Sequence, residues 1–247
     1  MNPRTPADLP AISEIWVYLS GSPLLALVLT LSAYLIGLTL YERSQRNPLA
    51  NPVLIAVVLV CLSISVLDMP YAQYFEGAQF VHFLLGTATV SLAIPIYKGF
   101  ASLKGRMGVL MLSLVAGGVT SVLTAVGVAR WLGVDESLVR GLVAKSVTAP
   151  IAMGIAERVQ ASPTLTAIFA VSTGILGAVL GRYVLDALRV TAWWQRGFAL
   201  GVAAHGIGTS RAFSVNAEAG AYASLGMGLH GIAGAVLIPY AVAHVFA

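Results

Sequence analysis

The chain has 247 residues, of which 58% are hydrophobic and only 10% charged, and its mean hydropathy is +0.87. Soluble domains carry about 25% charged residues, so the composition excludes an ordinary soluble domain and indicates an integral membrane protein. The net charge of +4 does not point to nucleic acid, because the basic residues stand singly between apolar segments and form no stripe with interleaved aromatics. Cys61 is the only cysteine, which leaves neither a disulfide framework nor a thiolate metal site.

The N-terminal segment, MNPRTPADLPAISEIW, has no compact apolar core followed by a small-residue cleavage site. Residues 1–20 are therefore read as a short surface or interfacial segment. The first strong span is about Pro23–Tyr41, closed by a polar loop with Arg43 and Arg46, and the second is Pro52–Leu67. Asp68–Gly77, acidic and aromatic, is expected as an interface loop. The third span, Ala78–Tyr97, carries Gly86, Thr87, Thr89 and Ser91 before Pro95, so a helix break is expected near 86–95. Met107–Trp131 is the fourth span. The segment KSVTAPIAMGIAE (145–157) follows, then a fifth span at about Thr164–Leu185 and two segments around 197–212 and 218–246.

The uncharged runs Ile15–Tyr41, Asn47–Leu67, Gly77–Tyr97, Met107–Ala129, Val159–Gly181 and Ala219–Ala247 each meet the length of about 20 residues needed to cross the hydrocarbon core as helices. The predicted fold is all-α, a polytopic membrane protein of about six to eight membrane segments in a single domain, residues 1–247. Breaks or re-entrant helices are expected near 86–95, 145–151 and 205–212. The basic clusters at 43–46, 98–106 and 182–196 share the cytoplasmic face only if the Lys145 segment enters and leaves by one side, and re-entry is favoured on that ground. A weak likeness between LLGTATVSLAIPI (84–96) and LVAKSVTAPIAMG (142–154) leaves an internal repeat open.

The chemistry concentrates in two places. A charge at membrane depth costs about 2.5–3.5 kcal/mol on insertion scales, so it faces a cavity or a partner. Lys145 sits three residues from Thr148 on one helical face, with Ser146 beside it and a break at Pro150. A cation with hydroxyls at a helix terminus suits a carboxylate; the plainer alternative is a lysine whose stem reaches to the interface. In AAHGIGTSRAF (203–213), His205 and Thr209 are four apart. Gly206 and Gly208 permit a backbone turn exposing N–H groups, and Arg211 follows. The alternative there is a surface loop with Arg211 on phospholipid headgroups. The working site joins Lys145, Ser146, Thr148 and Pro150 to His205, Gly206, Gly208, Thr209 and Arg211. In it Lys145 engages the anion directly, His205 could supply a proton, and Glu218 could pair with Arg211. Thr87, Thr89 and Pro95 mark the third-span break. No metal site, cofactor or enzyme motif is read in the chain.

The chain also resembles the LrgB/CidB family from about residue 20 onward. KSVTAPIAM (145–153), GILGAVLG (174–181), AAHGIGTSRA (203–212) and EAGAYASLGM (218–227) carry the likeness, and NPVLIA (51–56) and ATVSLAIPIYK (88–98) agree less specifically. The resemblance implies one of two functions in the inner (plasma) membrane. One is a carrier of small monocarboxylates such as glycolate, glycerate or pyruvate. The other is a holin-like or antiholin-like regulator of murein hydrolase activity and cell lysis. It also implies a small LrgA/CidA-type membrane partner, and self-association is compatible with either account.

Overall fold

The computed structural model describes residues 23–91, 94, 97 and 105–245. Among these the chain is all-helical and forms two compact units, residues 1–90 and 91–247.

The first unit holds α1 (Pro23–Arg43), a 3₁₀ turn (Pro48–Ala50), α2 (Pro52–Val66) and α3 (Tyr71–Ser91). Asn51 caps α2, its side chain accepting from the Val53 and Leu54 amides, and Pro52 occupies the first turn, where its missing N–H costs nothing. Helix α1 approaches α2 closely because Gly37 lies against the Pro52 backbone. The expected interface loop at 68–77 is a correction. Helix α3 already begins at Tyr71, and the aromatic positions of that stretch, Tyr71, Tyr74 and Phe75, stack at helical spacing. Tyr74 is further held by a 2.8 Å hydroxyl contact with Thr30 of α1. Helix α3 runs unbroken through Thr87 and Thr89 to Ser91, so the expected break does not occur there; Pro95 lies outside the described residues.

The second unit begins with α4 (Met107–Trp131), whose bounds agree with the fourth sequence span. Two short helices follow, α5 (Glu136–Leu142) and α6 (Ala149–Arg158), then α7 (Pro163–Ala187), α8 (Trp193–Val215) and α9 (Ala217–Val245). Helices α1, α4, α7 and α9 are long and apolar enough to cross a membrane, and α2 is a shorter apolar helix. The chain is a multi-pass membrane protein.

Helices α5 and α6 are too short to cross at 1.5 Å per residue. Arg140 of α5 and Arg158 at the end of α6 line one cavity with Pro239 and Val242 near the end of α9. Both mouths of this segment therefore open on the face where α4 ends. Its tip reaches the level of Ser121, near the middle of α4. The segment is a hairpin whose two arms open on one face, the arrangement that the loop charges favour.

Helix α8 is a second hairpin. His205 has φ 40° and ψ −131°, a non-helical conformation inside the helix, and the chain reverses there. Gly208 packs back against the Leu200 carbonyl, eight residues earlier, which a straight helix would hold about 12 Å away. The arm 193–204 lies alongside the start of α9, with Gly197 on Ala219 and Gly201 on Ala223. The arm 206–215 returns, with Phe213 beside Gly220. Trp193, Arg196, Arg211 and Val215 consequently share a cavity with Arg182 and Asp186 of α7, on the face where α4 begins. Arg106, just before α4, confirms the side: it stacks on Trp194 and donates to the Tyr222 hydroxyl.

The second unit thus contains the same device twice in opposite orientations. A 25-residue helix is followed by a hairpin from one face (α4, α5–α6), and another 25-residue helix by a hairpin from the other (α7, α8). Inverted repeats with interrupted helices are a recurring transporter architecture. This is not the 84–96/142–154 correspondence read from sequence, since residues 84–91 are continuous helix.

Candidate functional site

The first hairpin's tip is built around a turn, residues 143–148, that the helical ladder cannot continue. Pro150 stands in the first turn of α6, where its missing N–H costs nothing, and Thr148, the N-cap residue, is extended with ψ 139°. Freed from helix, Lys145 points toward α4. Its Nζ donates to Ser121 Oγ at 2.9 Å and to Ser146 Oγ at 3.2 Å, and those two hydroxyls are themselves 2.7 Å apart. Ser146 is buried and Lys145 is half-buried. Among the described residues no carboxylate forms an ion pair with Lys145. Thr148 Oγ1 is buried and bonded to no protein group, and α6 has no side-chain cap at its N-terminus. The tip therefore assembles an ammonium, three hydroxyls and the positive end of a helix.

The second tip is organised differently. His205 is 4% exposed, and its Nε2 lies 2.8 Å from the Ala170 carbonyl of α7. A carbonyl only accepts, so Nε2 carries the proton and donates. Thr209 Oγ1 donates to the His205 carbonyl at 2.7 Å and touches Met227 Sδ at 3.8 Å. His230 of α9 sits against Gly118 of α4.

Several expectations change. Gly206 and Gly208 do not form a turn that exposes amides; the chain reverses at His205, and Gly208 serves the close approach of the two arms. Arg211 does not join Lys145. It lies along the returning arm, in the cavity with Arg182, Asp186 and Arg196, because six helical residues carry it about 9 Å from the tip. Glu218 is exposed in the first turn of α9 and has no part in the described ion pairs. Thr87 bonds to the Leu84 carbonyl of its own helix. Sequence reasoning missed Ser121, which has no local signal because its partner is 24 residues away.

The LrgB-like family model matches residues 30–244. The chain belongs to the LrgB-like family. It is 33% identical to YwbG of Bacillus subtilis (strain 168), covering 83% of this chain and 90% of that protein. It is 30% identical to YxaC of the same strain, over 89% and 95%. It is 27% identical to the holin-like protein CidB of Staphylococcus aureus (strain Mu50 / ATCC 700699), over 87% and 94%. No solved structure matches. Family membership and the spanning helices together make this a multi-pass membrane protein of the LrgB-like family.

Proposed function

We propose that the chain is a secondary carrier or facilitator of small monocarboxylates, of glycolate, glycerate or pyruvate type, in the inner (plasma) membrane. The observation that carries this reading is Lys145: a half-buried ammonium at mid-helix depth, satisfied by hydroxyls rather than by a carboxylate. A buried cation without an anionic partner is costly. One small carboxylate, accepting from Lys145, Ser146 and Thr148 beside the α6 N-terminus, would neutralise it. Two hairpins entering from opposite faces bring interrupted helices to the middle of the unit, where carriers of other folds bind their solutes. Arg106, Arg182, Arg189, Arg196 and Arg211 lie, with Asp186 and Glu218, on the face where α4 begins. The other face carries Arg130, Arg140 and Arg158 against Asp135, Glu136 and Glu157. The basic excess makes the first face cytoplasmic. The reading needs no catalytic turnover by the chain, and a small LrgA/CidA-type membrane protein is its proposed partner.

The holin-like naming of the staphylococcal CidB relatives favours a second reading, a holin-like regulator of cell lysis. Uptake by purified protein in liposomes, with and without the small partner, separates the two. A carrier moves a short radiolabelled monocarboxylate saturably. A lysis regulator shows no solute preference, and its deletion changes murein hydrolysis whether or not such an acid is present.

A further inference from the structure

His230 of α9 is 7% exposed and has no part in the hydrogen bonds of the Lys145 tip. Its ring fills the space that Gly118 of α4 leaves: a Cβ there would come within 3.0 Å of His230 Cε1 and 3.4 Å of Nδ1. Three residues on, the same helix presents Ser121, whose hydroxyl accepts from Lys145 Nζ at 2.9 Å. Side chains three apart on a helix are neighbours, about 5–6 Å between their Cβ positions. Helix α9 also closes on the first hairpin beside His230, with Gly231 against Ile151 and Gly234 against Val147. Imidazole and ammonium therefore flank one spot at the hairpin tip. On its other side the ring lines a recess of about 280 Å³ between α4 and α9, and among the described lining residues it carries the only polar side chain. Neither ring nitrogen is hydrogen-bonded to a described residue. A buried polar group without a partner is costly, so the fold alone does not account for a histidine here.

We infer that His230 recognises the oxygen on carbon 2 of the transported acid, so that the carrier selects 2-hydroxy and 2-oxo monocarboxylates over the plain acids of the same length. This deepens the carrier reading and rests on it. With the carboxylate on Lys145, Ser146 and Thr148, the next carbon is the first that an imidazole across the spot can reach. An imidazole offers an N–H donor and, when neutral, an acceptor as well. It can thus meet a hydroxyl in either sense and donate to an oxo group. The apolar recess beyond the ring suits the short carbon tail. His205, the other buried histidine of this unit, is not available for the task, because its Nε2 already donates to the Ala170 carbonyl. A site built to hydrogen-bond a substrate oxygen rejects the analogue that lacks it, since its own polar group is then left buried and unpaired.

The probes are two radiolabelled pairs, glycolate with acetate and pyruvate with propionate, each differing only at carbon 2, taken up by the full chain in liposomes. Wild type should half-saturate with the oxygenated member at a concentration at least about tenfold lower. His230→Leu should raise half-saturation for glycolate and pyruvate about fivefold to tenfold and change it less than twofold for acetate and propionate. His230→Gln, which keeps an N–H donor, should retain a large part of the preference. His230→Leu should also melt at or above wild type, because an apolar group replaces a polar one with no partner in the fold. A much lower melting temperature would make the ring a structural member of the core and overturn the proposal. Parallel losses for both members of a pair would overturn it as well, as would unchanged half-saturation for glycolate and pyruvate. Wild-type protein that moves all four acids alike would overturn the proposal and leave the carrier reading standing. Wild-type protein that moves none of them would bring down both.

Discussion

The two hairpins share a plan and differ in what they spend it on. The first, residues 136–158, breaks over six residues and fills its tip with hydrogen-bonding groups: Lys145 and Ser146 bond to Ser121, and the Thr148 hydroxyl is buried with no protein partner. The second, residues 193–215, reverses at one residue, ties its histidine to a neighbouring carbonyl, and packs its arms glycine against backbone. Tight backbone packing fixes the second hairpin's position against α9, whereas the first is held mainly by aliphatic contacts around Val139, Val147 and Ile155. The difference teaches that one tip is built for chemistry and the other for rigidity.

The largest test of that contrast is a pair of glycines. A Cβ at Gly201 would strike the Ala223 backbone carbonyl, while one at Gly154 in α6 meets nothing within 4 Å. Gly201→Ala should cost about 1–3 kcal/mol or more, since a helix backbone cannot yield as a side chain does. Gly154→Ala should be neutral or stabilising by up to about 1 kcal/mol. Melting of the purified proteins in detergent measures both, and similar midpoints for the two would erase the contrast.

A smaller effect concerns the reversal. Positive φ at His205 costs a side-chain-bearing residue roughly 1–2 kcal/mol, but its ring hydrogen bond returns about 1 kcal/mol. His205→Ala loses the bond and keeps the strain, whereas His205→Gly loses both. Glycine should therefore be the more stable replacement by about 1 kcal/mol. Alanine matching it would show that the reversal is not strained.

The smallest effect lies at the first hairpin's entrance. Asp135 caps α5: the Ser137 hydroxyl and then its amide hold the carboxyl below the usual carboxylate range. A folded-state pKa below the unfolded one means the stabilisation is present above the unfolded value. It is lost as pH falls through the folded one. Asp135→Asn should thus flatten the decline in melting temperature on acidification below about pH 4, with little change at pH 7. An unaltered acid limb would remove Asp135 from the account.

Much of this was legible in the sequence. Met107–Trp131 could be bounded from its flanking charges, and Pro150 announced the first break. The cytoplasmic bias of loop arginines favoured re-entry for the segment between α4 and α7, and its two short helices form a hairpin. The second hairpin was harder to read. Its reversal needs no proline, only one unusual backbone conformation at His205, and small residues along its arms look like ordinary helix packing until their partners are known. Arg211 and Lys145 were joined in one site because spacing along the chain cannot show that a helix has doubled back and carried an arginine to the mouth. Ser121 gained meaning only from a contact that no local pattern encodes.

The central claim is that a small carboxylate binds at the Lys145 tip. The concentration dependence of monocarboxylate uptake by Lys145→Ala protein in liposomes tests it most directly, with insertion and melting shown to match wild type. Loss of one charge-assisted hydrogen bond, about 1.5–3 kcal/mol, should shift half-saturation upward by roughly one to two orders of magnitude. Folded Lys145→Ala protein that saturates at the wild-type concentration would contradict the account.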